Sequence, residues 1–459
     1  MLSCEQMAQF PKDFVWGAAA ASYQIEGGVN DGGRGASVWD MFCRKQGAVW
    51  NGHTGDVACD HYHRYAEDVG LMQQMGLQAY RLSVAWPRIQ PTGVGKPNAA
   101  GLDFYDRLID ALLAARITPW VTLYHWDFPL DLYHRGGWLN RDSADWFADY
   151  TTHVVSRLSD RVKHWMTLNE PQVYIGAGHV EGRHAPGDKL AFREALLAGH
   201  HTLLAHGKSV QAIRAASKQP CRIGYAPVAL SKMPFDPSSA ADIAAARKKM
   251  FSVDSETAWT NTWWMDPVFL GHYPEDGLKF FGKDAPIPAA GDLELMHQPL
   301  DFCGVNIYQG QYVRAGADGQ PEEITMPVGA KLTAFEWYVT PEAMYWGPKF
   351  LHERYNQPVV ITENGISCRD WVSKDGQVHD AQRIDFTHRY LEEGARAIAA
   401  GVPIEAYFHW SFIDNFEWGH GYKHRFGLIY CDYETLQRTP KDSARWYAEV
   451  IRTNGASLG

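Results

Sequence analysis

Eight short apolar runs alternate with helical stretches along the 459-residue sequence. This alternation predicts an α/β fold, a single-domain (β/α)8 TIM barrel over residues 1–459, because parallel strands require crossover connections that helices supply. Each run ends in polar or aromatic residues. In such a barrel the carboxyl-terminal ends of the strands meet on one face, where the active site lies, so we expect these residues to surround one pocket.

The eight runs define the predicted strands. In chain order they are 14–24, 79–86, 118–126, 164–171, 221–230, 300–309, 358–365 and 404–414. The segments 101–117 and 192–216 repeat apolar residues at helical spacing, as expected of the intervening helices. An open doubly wound sheet would also alternate, but it usually carries binding glycines after an early strand. The glycine-rich segment 27–35 fits neither a dinucleotide nor a Walker pattern, and we interpret it as a turn-rich loop.

The composition indicates a large core and argues against some classes of partner. Apolar residues make up 46% of the chain, and 43 basic residues stand against 53 acidic residues, a formal net charge of −10. Nucleic acids and anionic membranes require a basic face, so we expect neither as a partner. No stretch approaches the length of a membrane span. The 18 Trp, 22 Tyr and 20 Phe residues fit sugar stacking and a large core equally well.

The cysteines predict a reducing compartment. Seven are scattered along the chain without a CxxC pair, namely Cys4, Cys43, Cys59, Cys221, Cys303, Cys368 and Cys431. An odd number without pairing motifs is typical of reduced thiols in a cytoplasmic protein. The start of the sequence has neither the basic nor the apolar region of a signal peptide, in agreement with that location. The sequence leaves the oligomeric state open, a homo-oligomer included.

Two glutamates stand beside asparagines at the ends of predicted strands: Glu170 in TLNEP and Glu363 in ITENG. They belong to the fourth and seventh strands, which lie nearly opposite each other in an eight-stranded barrel. Hydrolysis of an acetal uses two carboxyl groups that flank the scissile bond. Alternatively, each glutamate caps a helix or pairs with a surface arginine. The position of both at the active face favours the catalytic interpretation.

Other residues at the strand ends suit a sugar. Gln24, His125 and Glu417 offer polar groups to hydroxyls, and Trp418 offers an aromatic face to the C–H groups of a ring. Each of these residues alone could be a packed loop residue. Together they predict a site with a polar edge and an aromatic base.

Arg81 lies inside the second predicted strand, between Tyr80 and Leu82. Because an unpaired buried charge is very unfavourable, this arginine requires a carboxylate partner. We expect that partner to be Glu363, which Arg81 would keep ionised.

The sequence predicts no metal site. Paired histidines occur at 61–65 and 199–201, but a metal needs three or four convergent ligands with supporting groups, and no such spacing appears. Ser22 and Ser411 lie near strand ends without the GxSxG elbow of a nucleophilic serine. No lysine at a strand end suits Schiff-base chemistry, which disfavours a barrel aldolase or isomerase.

The motifs resemble those of the β-glucosidases of glycoside hydrolase family 1, and the resemblance runs essentially from end to end. The segment FPKDFVWGAAAASYQIEGG resembles the amino-terminal signature of that family. The family's later motifs follow in order as RLSVAWPRI, LYHWDFP, TLNEP, VNIYQ, ITENG and NFEWGHGYKHRFGL. The resemblance implies a TIM barrel, a small-molecule β-glycoside substrate, and neither a cofactor nor a metal.

The resemblance also implies roles for individual residues. Glu170 would be the general acid/base and Glu363 the nucleophile of a retaining β-glucosidase, which works by double displacement through a covalent glycosyl-enzyme. The positions that support these two match Arg81, Asn306 and Tyr308. The positions that bind the sugar match Gln24, His125, Trp126, Asn169, Trp410, Glu417 and Trp418. Trp337 resembles the aromatic platform of the leaving-group side, and Phe426 belongs to the substrate-binding set.

One position departs from the family pattern. The family often carries an aromatic residue directly after NEP, whereas this chain carries Gln172. The position lies toward the leaving-group side. The resemblance therefore leaves the preferred leaving group and inhibition by glucose open.

Several functions are compatible with these residues. Hydrolysis uses water, transglycosylation uses a sugar or alcohol in its place, and a non-catalytic sugar-binding barrel would carry out neither reaction. Both glutamates and their neighbouring asparagines are intact, which favours an enzyme. The residues do not separate a glucosidase from a galactosidase or a fucosidase, because the hydroxyls of these sugars make similar demands.

Overall fold

The computed structural model describes residues 10–459, and its centre is a closed barrel of eight parallel strands. In chain order they are β1 (Val15–Ala19), β2 (Ala79–Ser83), β3 (Thr118–Tyr124), β4 (His164–Asn169), β5 (Arg222–Ala226), β6 (Phe302–Asn306), β7 (Val359–Asn364) and β8 (Ile404–Trp410). Each strand pairs with its neighbours in the chain, and β1 pairs with β8 to close the barrel. All eight lie within the predicted runs, so the predicted fold class is confirmed.

Helices make the crossover connections. Those of eight residues or more are His61–Gln74, Ala99–Ala114, Ser143–Leu158, Phe192–Ala216, Ala240–Met250, Thr262–Phe269, Ala343–Tyr355, Ala381–Ala399 and Asp442–Arg452. The two helices predicted from apolar spacing are present, as Ala99–Ala114 and Phe192–Ala216. Among residues 10–459, no helix is both long enough and apolar enough to cross a bilayer.

Shorter elements extend the connections. The shorter helices and turns of helix are Ser22–Ile25, Val38–Cys43, Trp50–Gly52, Trp86–Ile89, Leu130–Tyr133, Gly137–Leu139, Pro171–Val173, Tyr174–Val180, Glu275–Phe281, Gly282–Asp284, Asp292–Met296, Trp418–His420 and Ala456–Leu458. The strands Ser231–Pro234, Gly310–Ala315 and Pro321–Glu323 form a small sheet, and Ile429–Cys431 pairs with Arg438–Pro440. These additional strands follow the carboxyl-terminal ends of β5, β6 and β8, on the face where the site is expected.

Large and small side chains alternate inside the barrel. The rings of Phe302 and Phe408 lie 5.5 and 5.2 Å from that of Trp120 between centroids. Small residues such as Ala79 and Ala226 complete this buried cluster. A larger apolar cluster fills the space between the strands and the surrounding helices. Both faces of the strands are therefore buried, and their polar residues concentrate at the strand ends.

Gly365 follows β7 directly, and a methyl group on its Cα would lie 1.8 Å from the carbonyl oxygen of Trp410 at the end of β8. Backbone atoms cannot move aside without separating the two strands. We therefore expect Gly365→Ala to lower the free energy of unfolding by about 2 kcal/mol or more, as overpacking does. The midpoint of thermal or urea unfolding measures the effect.

The matched control is Gly70→Ala, inside the helix His61–Gln74, where an added methyl group meets no atom within 4 Å. Alanine favours a helix more than glycine does, so this variant should unfold at the same or a higher temperature than the wild type. Equal midpoints for Gly365→Ala and the wild type would contradict the close approach of β7 and β8.

Candidate active site

The carboxyl-terminal ends of the strands and the loops that follow them enclose a cavity of about 280 Å³. Most of the residues singled out in the sequence line it, namely His125, Trp126, Glu170, Tyr308, Trp337, Glu363, Trp410, Glu417, Trp418 and Phe426. The others, namely Gln24, Arg81, Asn169 and Asn306, form hydrogen bonds with lining residues. The structure thus brings all of the sequence-predicted site residues together.

Glu170 and Glu363 face this cavity from two different strands. Glu363 lies near the end of β7, and Glu170 is the first residue after β4, with a left-handed backbone φ of 49°. That conformation is uncommon for a residue other than glycine and often marks a functional site. Glu170 is only 6% exposed and Glu363 only 3% exposed. Two carboxyl groups are therefore held in one cavity and are largely shielded from bulk solvent.

Arg81 provides the charge that balances Glu363. Its Nη1 donates to Glu363 Oε1 at 2.6 Å and to the carbonyl oxygen of Thr362 at 3.0 Å, and its Nη2 donates to Asn169 Oδ1 at 2.6 Å. The Tyr308 hydroxyl donates to the other carboxylate oxygen, Oε2, at 2.7 Å. Both oxygens of Glu363 thus accept a hydrogen bond, and the ion pair expected from the sequence is present.

The surroundings of the two glutamates place the proton on Glu170. Burial is the main reason that the pKa of Glu170 lies well above that of an ordinary carboxyl group, and the negative charge of Glu363 raises it further. Asn306 donates to Glu170 Oε1 at 2.8 Å and only partly offsets these effects. Burial also raises the pKa of Glu363, but Arg81 and Tyr308 counteract it by stabilising the charged form. Glu363 therefore ionises first, while Glu170 keeps its proton.

Gln24 and Glu417 form a polar end of the cavity. Gln24 Nε2 donates to the carbonyl oxygen of Phe416 at 2.9 Å and to Asn415 Oδ1 at 3.0 Å, and it lies 3.5 Å from Glu417 Oε2. Its Oε1 is buried without a hydrogen-bond partner among residues 10–459. Burial, and secondarily the charge of Glu363, raises the pKa of Glu417 to about 8. Near neutral pH this carboxyl group is mostly protonated, so it can both donate and accept.

Aromatic rings surround this polar end. The Trp126 and Trp418 ring centroids are 4.5 Å apart, and His125 stacks on Trp410 with centroids 5.7 Å apart. Asn169 joins two of these residues. Its backbone carbonyl oxygen accepts from Trp126 Nε1 at 2.9 Å, and its side-chain Nδ2 lies 3.1 Å from His125 Nε2. Burial lowers the pKa of His125 well below its usual value, so the ring is neutral and can accept this bond.

A second group of rings lies at another side of the cavity. The Trp337 ring centroid is 5.1 Å from that of Tyr308 and 4.5 Å from that of Phe335. Phe426 lies 6.2 Å from Tyr308 and 5.8 Å from Phe335. This cluster is built from the connections after β6 and β8.

Some lining residues were not identified from the sequence. They are Val173, Arg183, His184, Val228, Ala229, Leu230, Trp259, Gln309 and Phe335. Of these, Val228 to Leu230 and Gln309 fall within predicted runs, and Val173 ends the short helix Pro171–Val173, whereas the others lie on loops whose local sequence carries no signal. Gln172, expected toward the leaving-group side, is fully buried and does not line the cavity within the described part of the chain.

The candidate metal-binding histidines take part in packing instead. His61 lies 2.7 Å from Asp68, and His200 lies 3.0 Å from Asp292, in buried contacts. Within residues 10–459, no group of three or more His, Cys, Asp or Glu side chains is arranged to hold a metal ion. Cys4, one of the cysteines considered above, lies outside the described residues.

Comparison with known proteins extends to nearly the whole chain. Residues 6–456 match the sequence profile described as Glycosyl hydrolase family 1. The 1,4-beta-D-glucan glucohydrolase of Thermotoga neapolitana is 45% identical over 455 residues, which cover 98% of this chain and 99% of that one. Beta-glucosidase A of Acetivibrio thermocellus is 43% identical over 457 residues, 97% of this chain and 99% of that one.

A solved structure shares the fold as well as the sequence. The beta-glucosidase from Thermotoga maritima in complex with glucoimidazole superposes with a TM-score of 0.89 at 42% identity, covering 98% of this chain and 100% of that chain. The sequence profile, the relatives and the fold agree over the same residues. The chain therefore belongs to glycosyl hydrolase family 1 and is a glycoside hydrolase.

Proposed function

We propose that Glu170 and Glu363 make this chain a retaining β-glucosidase, which removes terminal non-reducing β-D-glucosyl residues from oligosaccharides or from aryl and alkyl glucosides. The observation that carries the proposal is the pair of buried carboxyl groups in one cavity, of which Glu363 is ion-paired with Arg81 and Glu170 is not. Double displacement needs one carboxylate and one carboxylic acid beside the scissile bond. The names of the relatives, beta-glucosidase and 1,4-beta-D-glucan glucohydrolase, support glucosides as the substrate class.

In the first step Glu363 is the nucleophile. Its carboxylate, paired with Arg81, attacks the anomeric carbon while Glu170 gives its proton to the glycosidic oxygen. The bond between the carbon and that oxygen breaks, its electron pair stays with the oxygen, and the leaving group departs as a neutral alcohol. The product is an ester between the sugar and Glu363, with inverted configuration at the anomeric carbon.

In the second step Glu170 is the base. Esterification removes the negative charge of Glu363, so one of the causes of the raised pKa of Glu170 disappears. Glu170 can then take a proton from water, which attacks the anomeric carbon and releases Glu363 as a carboxylate. Two inversions at one carbon restore the β configuration, so the first product is β-glucose.

The polar end of the cavity suits the glucosyl residue. Gln24 offers a buried oxygen without a partner among the described residues, and Glu417 offers a carboxyl group that both donates and accepts near neutral pH. The hydroxyls of the sugar would complete these hydrogen bonds. The remaining members of the proposed sugar-binding set are His125, Trp126, Asn169, Trp410 and Trp418. Trp337 and Phe426 would contact the leaving group.

We also propose a cytoplasmic location. All six cysteines from Cys43 onward are free thiols, and all but Cys221 are buried. Thiols of this kind persist in a reducing compartment. The oligomeric state stays open, a homo-oligomer included.

The experiment that tests the function is proton NMR of the purified protein acting on an aryl β-glucoside. We expect β-glucose to appear before α-glucose, because retention requires two displacements. α-Glucose as the first product would mean inversion and would remove the nucleophile role from Glu363. Hydrolysis of neither this substrate nor cellobiose would contradict the proposed β-glucosidase.

The nucleophile role is tested by Glu363→Ala. Loss of a covalent nucleophile should lower kcat on the order of 10⁴-fold or more. Azide can enter the space that the side chain leaves and attack from the same face as Glu363 did. We therefore expect azide to restore part of the activity and to yield α-glucosyl azide, which NMR of the product identifies.

The matched variant is Glu170→Ala with a substrate whose leaving group needs no proton, such as a dinitrophenyl β-glucoside. Glu363 still forms the ester, and azide then attacks from the opposite face, so the product should be β-glucosyl azide. The same azide anomer from both variants would contradict the assignment of the two roles.

The ionisation of Glu363 is tested by Tyr308→Phe. Tyr308 stabilises the charged carboxylate, so its removal should raise the pKa of Glu363. Activity requires this carboxylate ionised and is lost as the pH falls through its pKa, so the acidic limb of kcat/KM should move to higher pH. A hydrogen bond to a charged group is worth about 1.5–3 kcal/mol, which corresponds to roughly one pH unit or more.

Tyr430→Phe is the control for this shift, since Tyr430 lies on the strand Ile429–Cys431 and does not line the cavity. Its pH profile should match that of the wild type. An unmoved acidic limb in Tyr308→Phe would mean that this hydroxyl does not set the ionisation of Glu363.

A further inference from the structure

A further aromatic side chain faces the cavity, apart from the two groups of rings around Trp418 and Trp337. It is the indole of Trp259, which lies in the segment between the helices Ala240–Met250 and Thr262–Phe269. Its neighbours are residues of the connections after β4 and β5, whereas Trp337 follows β6. Trp259 therefore reaches the cavity from a different set of loops than Trp337 does.

Glu181 and Arg183 hold the Trp259 ring in place. Trp259 Nε1 donates to Glu181 Oε1 at 2.6 Å, and Arg183 Nε donates to Glu181 Oε2. The guanidinium carbon of Arg183 lies 5.7 Å from the ring centroid, close enough for a cation–π contact. These hydrogen bonds and the Arg183 charge outweigh the effect of burial and lower the pKa of Glu181, so the carboxylate stays ionised at neutral pH.

Gly176 has no side chain and so leaves room for the Trp259 indole. A methyl group on Gly176 would lie 3.5 Å from the indole Cε2 and Nε1 and 3.2 Å from Ala258 Cβ. Any larger side chain at this position would push against the ring. Trp259 is thus fixed by a hydrogen bond, a cation and a backbone surface, and its orientation is defined before a ligand arrives.

Gln172 supports this wall of the cavity from behind. Its Nε2 donates to the carbonyl oxygens of Val228 at 3.1 Å and Thr260 at 3.4 Å, and its Oε1 accepts from the Val228 amide at 3.3 Å. Val228 lines the cavity, and Thr260 directly follows Trp259. This buried glutamine therefore joins two lining segments, which gives a physical account of the departure from the family pattern.

Arg183 adds hydrogen-bond donors beside the indole. It lines the cavity, and its Nη1 and Nη2 make no hydrogen bond to another described residue. A flat apolar ring next to a group with several donors matches the two properties of a pyranose: an apolar C–H face and an edge of hydroxyl oxygens. A benzene ring shares only the first property.

We infer that Trp259 and Arg183 bind a pyranose as the leaving group, and that Glu181 and Gln172 are positioning residues for this wall. The inference rests on the proposed β-glucosidase function and specifies its substrate as a glucosyl unit attached to another sugar. Trp259 contacts the face of the second ring, and Arg183 donates to its hydroxyl oxygens. The aryl leaving group of an aryl glucoside would contact the Trp259 indole but would offer no acceptor to the Arg183 donors.

The test compares kcat/KM for cellobiose and for phenyl β-glucoside, whose leaving group has no acceptor besides the glycosidic oxygen. Trp259→Ala should lower kcat/KM for cellobiose by roughly 10-fold or more, as loss of a central tryptophan does at other binding sites. Trp259→Phe should recover part of it. Arg183→Met should reduce the ratio of the cellobiose value to the phenyl glucoside value by about 5-fold or more.

Two further comparisons distinguish a role of Glu181 in positioning Trp259 from a general loss of activity. Glu181→Gln keeps an acceptor for Trp259 Nε1, so its kcat/KM for cellobiose should fall less than that of Glu181→Ala. Trp371→Ala removes a tryptophan that is 67% exposed and does not line the cavity, and both kcat/KM values should stay at the wild-type level. Uniform losses on both substrates in Arg183→Met would overturn the inference.

Failure of the inference is distinguishable from failure of the proposed function. Wild-type protein that hydrolyses phenyl β-glucoside but not cellobiose would overturn the pyranose site and leave the β-glucosidase intact. Unchanged cellobiose kinetics in Trp259→Ala would do the same. Hydrolysis of neither substrate by the wild type would contradict the proposed function itself.

Discussion

The buried guanidinium of Arg81 is the group on which the rest of the site depends. A cation without a partner inside a barrel would be strongly destabilising. Here its donors reach three other strands at once, to Thr122 in β3, to Asn169 at the end of β4, and to Thr362 and Glu363 in β7. The barrel cannot bury Arg81 favourably without bringing these groups together. Folding therefore also forms the ion pair that keeps the proposed nucleophile charged.

The end of β6 and the connection that follows it distinguish the two glutamates, although both are buried. Asn306 donates to Glu170, while Tyr308, two residues later, donates to Glu363. The Asn306 amide has a fixed orientation, because its Oδ1 accepts from the Thr362 hydroxyl at 2.6 Å and its Nδ2 is left to donate. A neutral amide stabilises a carboxylate less than a cation and a phenol together do. The proton consequently stays on Glu170, and the acid and the nucleophile are assigned by their neighbours.

The barrel and most of its site residues could be predicted from the sequence because both depend on local patterns. A strand buried on both faces reads as an apolar run, and parallel closure sends every run end to one face. Trp259 and Arg183 could not be found this way. They lie on loops, and the contact that fixes Trp259 joins it to Glu181, 78 positions away. The family pattern predicts Gln172 toward the leaving-group side. Its side chain is buried instead of lining the cavity, because it forms hydrogen bonds with backbone groups of the connection after β5.

The two ends of the cavity are consequently held by different means. Asn169 and Glu363 lie in barrel strands, where a shift of one residue would turn each side chain to the other face of the sheet. Substitutions at these positions would disturb the barrel as well as the binding of the sugar. Trp259 depends instead on side-chain contacts between loops, which can alter without changing the strand register. The reaction is thus tied to the fold, while the group attached to the glucosyl residue is selected by parts of the chain that can change independently of it.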